Sequence, residues 1–416
     1  MRVLLINTSE RIGGAAVSCG RLMEALQEHG IKAKMLVRDK QTEKLSVVNL
    51  PRSWKLLWKF LWERLRIWYA NGGTRRNLFK VDLANTGTDI TRLPEFKQAD
   101  IIHLHWVNQG MLSLKNIRQI LESGKPVVWT MHDMWPCTGI CHHARDCEGY
   151  LSDCGNCPYL LKPGKHDLSY SVYKKKKQIL QGHHISYVTC SQWMEAQARK
   201  SSLLAGQQIV SIPNPINTHL FRPTDKQEAR KRCQLPQDKK LILFGSVKIT
   251  DKRKGFLYFI DACKLLVKEH PELQEQLGVV VLGNRSGVLG DLLPFEVFPQ
   301  EFLMDDYKIA DIYNSVDLYA TPSLEENLPN TIMEAMACGV PCVGFNTGGI
   351  PEMIDHLRNG YVAEYKSVED FTQGLYHILS AADYQQMSEE AVHKVVTHYS
   401  MQVVAQRYIE VYEGHD

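Results

Sequence analysis

Thr321 to Val343, TPSLEENLPNTIMEAMACGVPCV, constrains the fold of this chain more than any other stretch. It reads as a strand end (Leu318 to Thr321), a polar loop, a short helix, a glycine stop and a new buried strand. Asn330 is the expected N-cap, with Thr331 to Ala337 carrying the helical pattern. Gly339 sits where a left-handed residue closes a helix, and Pro341 prevents continuation. Such a strand–helix–strand unit belongs to an α/β sheet, whose ligand crevice lies at the C-terminal ends of its strands. Glu326 in the loop and Glu334 about one turn into the helix bracket the turn. The positive end of a helix suits a phosphate, and carboxylates, which only accept hydrogen bonds, suit a neighbour rich in hydroxyls such as a ribose and a sugar. The alternative is a surface loop whose acids are merely solvated.

The pattern PS-x-x-E-x7-E-A-M-A-x-G-x-P resembles the signature of the family 4 retaining glycosyltransferases. That resemblance implies the GT-B fold: α/β, two Rossmann-like domains facing a cleft, with a C-terminal helix crossing back to the first. It places Glu326 on hydroxyls of the transferred sugar and Glu334 on the nucleotide ribose. Two departures are visible. The usual glycines after the first glutamate are Asn327 and Pro329 here, and proline offers no N–H, so Asn330 and Thr331 must donate instead. After Gly245 the usual Arg is Ser246, leaving Lys248 or Arg253 to supply that charge, whereas Lys254-Gly255 matches the family. No D-x-D sequence occurs. Lys254, Arg253 and the helix starting at Asn330 are therefore expected to neutralise a diphosphate without a catalytic cofactor.

A chain of 416 residues can hold two domains with full cores. Its 44% apolar and 23% charged residues are ordinary for a globular protein, and a net charge of +3 gives no argument for a nucleic-acid partner. MRVLLIN is too short for a signal peptide and no apolar run is long enough to span a bilayer, so a cytoplasmic location, at the inner face of the cytoplasmic membrane, is the expectation. Thiols or metal ligands are then expected of the 11 cysteines in preference to disulfides.

In chain order, Arg2 to Ile6 reads as a buried strand, followed by a Gly13-Gly14 turn, a helix through Leu22 and Leu26, and a strand at Lys34 to Val37. This is a βαβ unit without the G-x-G-x-x-G dinucleotide fingerprint. The resemblance puts Gly14 near the donor phosphates. Ile101 to Trp106 and Val127 to Met131 read as strands ending in imidazoles. By resemblance His105 touches acceptor and sugar, and His132-Asp133 form a second cleft pair. His103, on the same sheet face as His105, is the one read as a satisfied core residue.

Pro51 to Tyr69 reads as a helix with Trp54, Trp58, Leu61, Leu65 and Trp68 on one face and Lys55, Lys59, Arg64 and Arg66 around them. A basic tryptophan-rich amphipathic helix suits a membrane surface. The competing reading is a core-facing helix with snorkelling basic stems. Five cysteines fall between 137 and 157, and Cys141, Cys147, Cys154 and Cys157 give C-x5-C-x6-C-x2-C, a candidate structural zinc site with His142 or His143 as substitutes. Similar sequences around HDMW occur among bacterial polysaccharide glycosyltransferases, so the cluster reads as a subgroup insertion. Lys174 to Lys177 reads as a solvated helix face.

Domains are expected at 1–212 (acceptor), 213–395 (nucleotide-sugar donor) and 396–416 (returning helix). The expected activity is hexosyl transfer from a nucleotide-diphosphate sugar to a saccharide or lipid-linked saccharide acceptor, with retention, in cell-surface polysaccharide or lipopolysaccharide biosynthesis. Glu326, His105 and Lys254 are the residues the resemblance puts in catalysis. The alternatives are a nucleotide-sugar 2-epimerase of the same fold and a membrane-associated metal-binding scaffold.

Overall fold

The structure, a computed structural model, describes residues 1–51, 54–284 and 286–414. Arg52 and Ser53, within the expected tryptophan helix, and His415 and Asp416 of the expected terminal segment lie outside the described residues. The chain divides into two compact units, Met1–Pro215 with Val404–Asp416, and Ile216–Val403.

The first unit is built on a seven-stranded parallel sheet: β1 (Arg2–Ser9), β2 (Lys32–Asp39), β3 (Val47–Asn49), β4 (Ile101–Leu104), β5 (Val127–Met131), β6 (Ser186–Thr189) and β7 (Gln208–Ser211). Their order is β3-β2-β1-β4-β5-β6-β7, with Leu5 opposite both Met35 and His103. Ile101 to Leu104 and Val127 to Met131 are buried throughout. Continuous apolar runs of this kind are what helices on both faces of a parallel sheet demand.

The second unit carries six parallel strands: β8 (Lys240–Lys248), β9 (Leu277–Asn284), β10 (Glu296–Gln300), β11 (Leu318–Thr321), β12 (Cys342–Phe345) and β13 (Gly360–Ala363), in the order β10-β9-β8-β11-β12-β13. Its core holds Ile242, Phe244, Val279, Ala320, Val343 and Phe345, with Phe244 stacked on Phe259 at 4.7 Å between ring centroids. Truncating such a ring typically costs about 3–5 kcal/mol. Two Rossmann-like α/β units are therefore present.

In both sheets the strand order reverses once, between β1 and β4 in the first unit and between β8 and β11 in the second. Loops leaving two strands in opposite directions leave a crevice at such a switch point, where ligands of open α/β sheets bind.

Several local expectations shift. The short helix spans Asn330–Ala337 with Pro329 as its N-cap and no side-chain cap, so Asn330 is the first helical residue and not the cap. Its end follows the pattern: Gly339 has φ +76, its N–H donates to Met336, and that of Val340 to Ala335. These two bonds are those of a Schellman motif. The tryptophan helix runs Trp54–Ala70. Residues 396–403 remain with the second unit, because the helix Tyr384–His398 buries Val395 there and Met401 pairs with Ile216. The tyrosines of the final helix, Met401–Glu413, belong to the first unit: Tyr412 bonds His103 at 2.7 Å and Tyr408 bonds Thr130 at 2.9 Å.

Candidate functional site

In the second unit, β8 leads through a short turn (Lys252–Lys254) to Gly255 and the helix Phe256–Glu269. Gly255 has φ +70, and a Cβ there would stand 1.7 Å from the Pro322 carbonyl oxygen. Only glycine lets the β8 loop lie against the end of β11. The loop is further stitched by the Leu324 N–H donating to Arg253 O at 2.7 Å. The result is an ion pair between Lys254 Nζ and Glu326, with the lysine 31% and the glutamate 13% exposed. Arg253 pairs with Asp251 at 2.8 Å. Ser246 donates to the Lys248 carbonyl.

Glu326 is fixed from behind. Gly348, with φ +57, leaves room for the Glu326 carbonyl, which a Cβ would meet at 1.8 Å, and Gly349 N–H donates to Asn327 O at 2.7 Å. Asn330 and Thr331 open the helix that follows, and Glu334 is buried in its second turn, accepting from the Tyr313 hydroxyl at 3.1 Å. Lys254, Arg253, Glu326, Asn330, Thr331 and Glu334 thus all leave the β8 and β11 strand ends. A hollow of about 550 Å³ lies instead around Pro223, Gly339 and Tyr384, at the C-terminal end of that helix, and contains none of them. Lys254, Arg253 and Glu326 converge at the switch point, which makes it the candidate site.

In the first unit, Gly14 begins the helix Gly14–Glu28 just after β1, with Gly13 at φ +92 as its cap. One strand away, His105 leaves β4 and His132 leaves β5. His105 Nδ1 and His132 Nε2 share a hydrogen bond of 2.9 Å, and the rings stack at 5.2 Å. Trp129 Nε1 donates to the His105 carbonyl at 3.1 Å and holds that strand end in place. Burial holds the His132 imidazole down at about 4, although Asp133 pulls it upward, and holds His105 well below the usual range, so both are neutral. His103 is satisfied on both nitrogens, by Tyr412 and Thr130. His105 Nε2 is buried without a hydrogen-bond partner. A buried polar atom left unpaired is costly, and a hydroxyl or water reaching this nitrogen would relieve that cost.

Asp133 accepts from Trp106 Nε1 at 2.8 Å and the Trp135 N–H at 2.8 Å, and pairs with His142 at 2.7 Å. The other nitrogen of His142 meets Asp82 at 2.6 Å. Burial would lower the His142 imidazole, but the charge and hydrogen bonds of Asp133 and Asp82 raise it to about 10, so it is a buried cation between two carboxylates. Both nitrogens of His142 are therefore occupied, which corrects the expectation that it could replace a cysteine as a zinc ligand. Asp82 was missed, although a lone acid between buried Val81 and Leu83 is a readable sign of an internal ion pair.

Cys141, Cys147, Cys154 and Cys157 line one small cavity with Tyr150 and Tyr159, and all are free thiols. Among the described residues, no group of three or more His, Cys, Asp or Glu is placed to hold a metal ion. Lys176 corrects the solvated-face reading of its run. It is buried, donates to the carbonyls of Trp135 and Thr138, and lies 3.4 Å from the Trp135 ring centroid.

The family model for glycosyltransferase family 4 matches residues 12–220, and that for glycosyl transferases group 1 matches residues 238–381. A D-inositol 3-phosphate glycosyltransferase from Thermobispora bispora is 27% identical over 215 residues, 49% of this chain and 50% of that protein. The Escherichia coli protein named as a colanic acid biosynthesis glycosyl transferase, WcaC, is 24% identical over 338 residues, 76% of each. The chain spans about half the length of the first curated relatives it matches. In fold it is similar to sucrose-phosphate synthase from Thermosynechococcus elongatus (TM-score 0.66, 18% identity, covering 100% of this chain and 98% of that one). It is likewise similar to Anabaena HepE in complex with UDP-glucose (TM-score 0.62, 15% identity, 100% of both). With half of its length matched by one family model and both sheets folded as the motif implied, the chain belongs to glycosyltransferase family 4.

Proposed function

We propose that this chain transfers a hexosyl group from a nucleotide-diphosphate sugar to a lipid-linked saccharide, with retention of configuration, in cell-surface polysaccharide synthesis at the inner face of the cytoplasmic membrane. The observation that carries the reading is the Lys254–Glu326 pair at the β8/β11 switch point, beside the N-terminus of the helix Asn330–Ala337. Lys254, Arg253 and the first-turn N–H groups, with Asn330 and Thr331, are suited to take up the negative charge that grows on the departing diphosphate. Glu326 then exchanges its lysine partner for sugar hydroxyls, while Glu334, held by Tyr313, accepts from the ribose. Within the first unit, His105 Nε2 offers a neutral imidazole to a hydroxyl of the acceptor, with His132 bonded to its other nitrogen. A donor phosphate oxygen takes the acceptor proton as the new bond forms on the face the diphosphate leaves. The UDP-glucose held by HepE supports the donor class, and the similarity to WcaC supports the polysaccharide context.

No cofactor takes part in this scheme. A zinc ion shared by Cys141, Cys147, Cys154 and Cys157 belongs to the proposal as a structural element, supported by their common cavity and spacing. It requires the side chains to draw together as thiolates. About one equivalent of zinc in protein purified without added metal, lost in Cys154→Ser/Cys157→Ser, is the expected result. Incubation of the protein with nucleotide sugars and an extracted lipid-linked acceptor, followed by product analysis, tests the transfer. A new glycosidic bond with the donor's configuration is expected, and a 2-epimer formed without acceptor would replace the reading.

A further inference from the structure

The helix Trp54–Ala70 is amphipathic in the reverse sense. Its inward face carries Glu63, Arg64 and Ile67, all buried, while Trp54, Leu57, Trp58, Leu61, Trp62, Leu65, Trp68 and Tyr69 are exposed. At ~100° per residue these apolar side chains fill one arc of roughly 140°. Trp54 is 70% and Tyr69 80% exposed, so this arc points away from the core. Among soluble proteins a contiguous apolar patch of this kind marks an interaction surface.

The inversion is held by partners that lie 14 to 29 positions further along the chain. Glu63 accepts from the N–H groups of Leu83 and Ala84 at 2.8 and 2.7 Å. Arg64 pairs with Asp82 and donates to the Leu78 carbonyl at 2.6 Å. Lys59 donates to Thr88, and the Thr86 hydroxyl donates to the Lys59 carbonyl. Rolling the helix to bury its tryptophans would tear these buried charges apart.

We infer that this face is a docking surface for an anionic lipid bilayer. From Trp54 to Lys80 the sequence has seven Lys and Arg against one acid, Glu63, which is buried. Lys55 and Arg66 flank the apolar arc on one side, and exposed Arg75, Arg76, Phe79 and Lys80 follow the helix. Tryptophan and tyrosine seat at the headgroup boundary, and Lys and Arg attract anionic headgroups. No described helix is long and apolar enough to cross a membrane, so the element lies on the surface. Two copies of so basic a face would repel each other, which disfavours self-association. The inference deepens the lipid-linked-acceptor reading and rests on it for its purpose, but not for its chemistry.

Co-sedimentation of the full chain with phosphatidylglycerol/phosphatidylcholine vesicles, without acceptor, tests it. Binding is expected at low salt, with a fall on raising salt and on replacing phosphatidylglycerol. Lys55→Glu/Arg66→Glu and Trp58→Glu/Trp62→Glu change exposed side chains and are each expected to weaken binding at least about tenfold, with far-UV circular dichroism unchanged. Absence of binding to anionic vesicles at low salt overturns the inference, as does binding that neither variant alters. A concentration-dependent dimer abolished by Trp58→Glu would assign the face to a second copy and also overturn it. Transfer assayed in detergent separates the two readings: transfer without vesicle binding removes only the docking, and binding without transfer removes only the activity.

Discussion

At the β1/β4 edge the titratable groups are enclosed, and at the β8/β11 edge the cations face solvent. His105, His132, Asp133 and His142 are buried or nearly so, whereas Lys254 and Arg253 keep 31% and 44% of their side chains exposed. Both edges are switch points of parallel sheets with the same strand-order reversal. Their chemistry differs because burial penalises charge. The enclosed imidazoles of His105 and His132 become neutral, and the charges that persist there cancel internally: Arg64 on Asp82, and His142 between Asp82 and Asp133. The open edge retains cations whose present carboxylate partner can be exchanged for an anionic ligand. One topology thus supplies a neutral surface suited to hydroxyls and a cationic one suited to phosphate.

Removing a charge from each edge probes that contrast most strongly. Asp82→Ala takes a carboxylate from two buried cations, Arg64 and His142, and unfolding by urea should show a loss of about 3–5 kcal/mol. Lys254→Ala should leave stability within about 0.5 kcal/mol of wild type. Equal stability losses would erase the distinction between the edges.

Turnover should invert the ranking. Lys254→Ala is expected to lower kcat by about 10²–10³ with a nucleotide sugar that the wild type turns over, the typical effect of losing one donor to developing negative charge. Lys252→Ala, two residues away and outside the Glu326 pair, should stay near wild type. A smaller expected effect concerns the glutamates: Glu334→Gln should weaken nucleotide binding tenfold to a hundredfold, and Glu326→Gln should lower turnover by a like factor, from loss of a charged hydrogen bond worth about 1.5–3 kcal/mol. Isothermal titration and steady-state kinetics distinguish the two.

The gentlest probe is pH. Burial holds His103 at about 3 and His132 at about 4, against 6.5 when unfolded. The unfolded chain therefore takes up protons first as pH falls, and stability present above 6.5 is lost progressively toward 4 and below. Between pH 7 and 6 the loss is only about 0.7 kcal/mol per histidine. His142, raised to about 10, has the opposite sign: its stabilisation is complete below 6.5 and fades as pH rises through 10. A urea midpoint that falls on either side of about pH 6.5 is expected, with the acid limb shallower in His103→Gln. A flat acid limb would mean that these imidazoles are not held neutral by burial.

The strands were readable because RVLLI, VVWTM and LILF are uninterrupted apolar runs, which a sheet covered on both faces requires. The helix stop at Gly339 and Pro341 was readable because only certain residues tolerate that backbone. Its start was less so: Pro329 fits the extended cap position as well as Asn330 would, and no side-chain bond is there to decide. The Lys174 to Lys177 run looks uniform along the chain, yet Lys176 alone turns in over Trp135, a residue 41 positions away. Likewise His142 looked like a metal ligand beside cysteines until Asp82, 60 positions away, claimed it.

Local pattern therefore determined the element types, the parallel α/β class and the family motif around Glu326 and Glu334, since these depend on periodicity and backbone sterics within a few residues. Tertiary structure alone decided which face of Trp54–Ala70 points inward. The helix sequence shows a tryptophan stripe and a basic flank, and hydrophobicity by itself favours burying the stripe. The outcome turned on Asp82, Leu83 and Ala84, whose carboxylate and N–H groups hold Arg64 and Glu63 inside. Buried charges demand specific partners, and partners distant in sequence are brought within reach only by the fold.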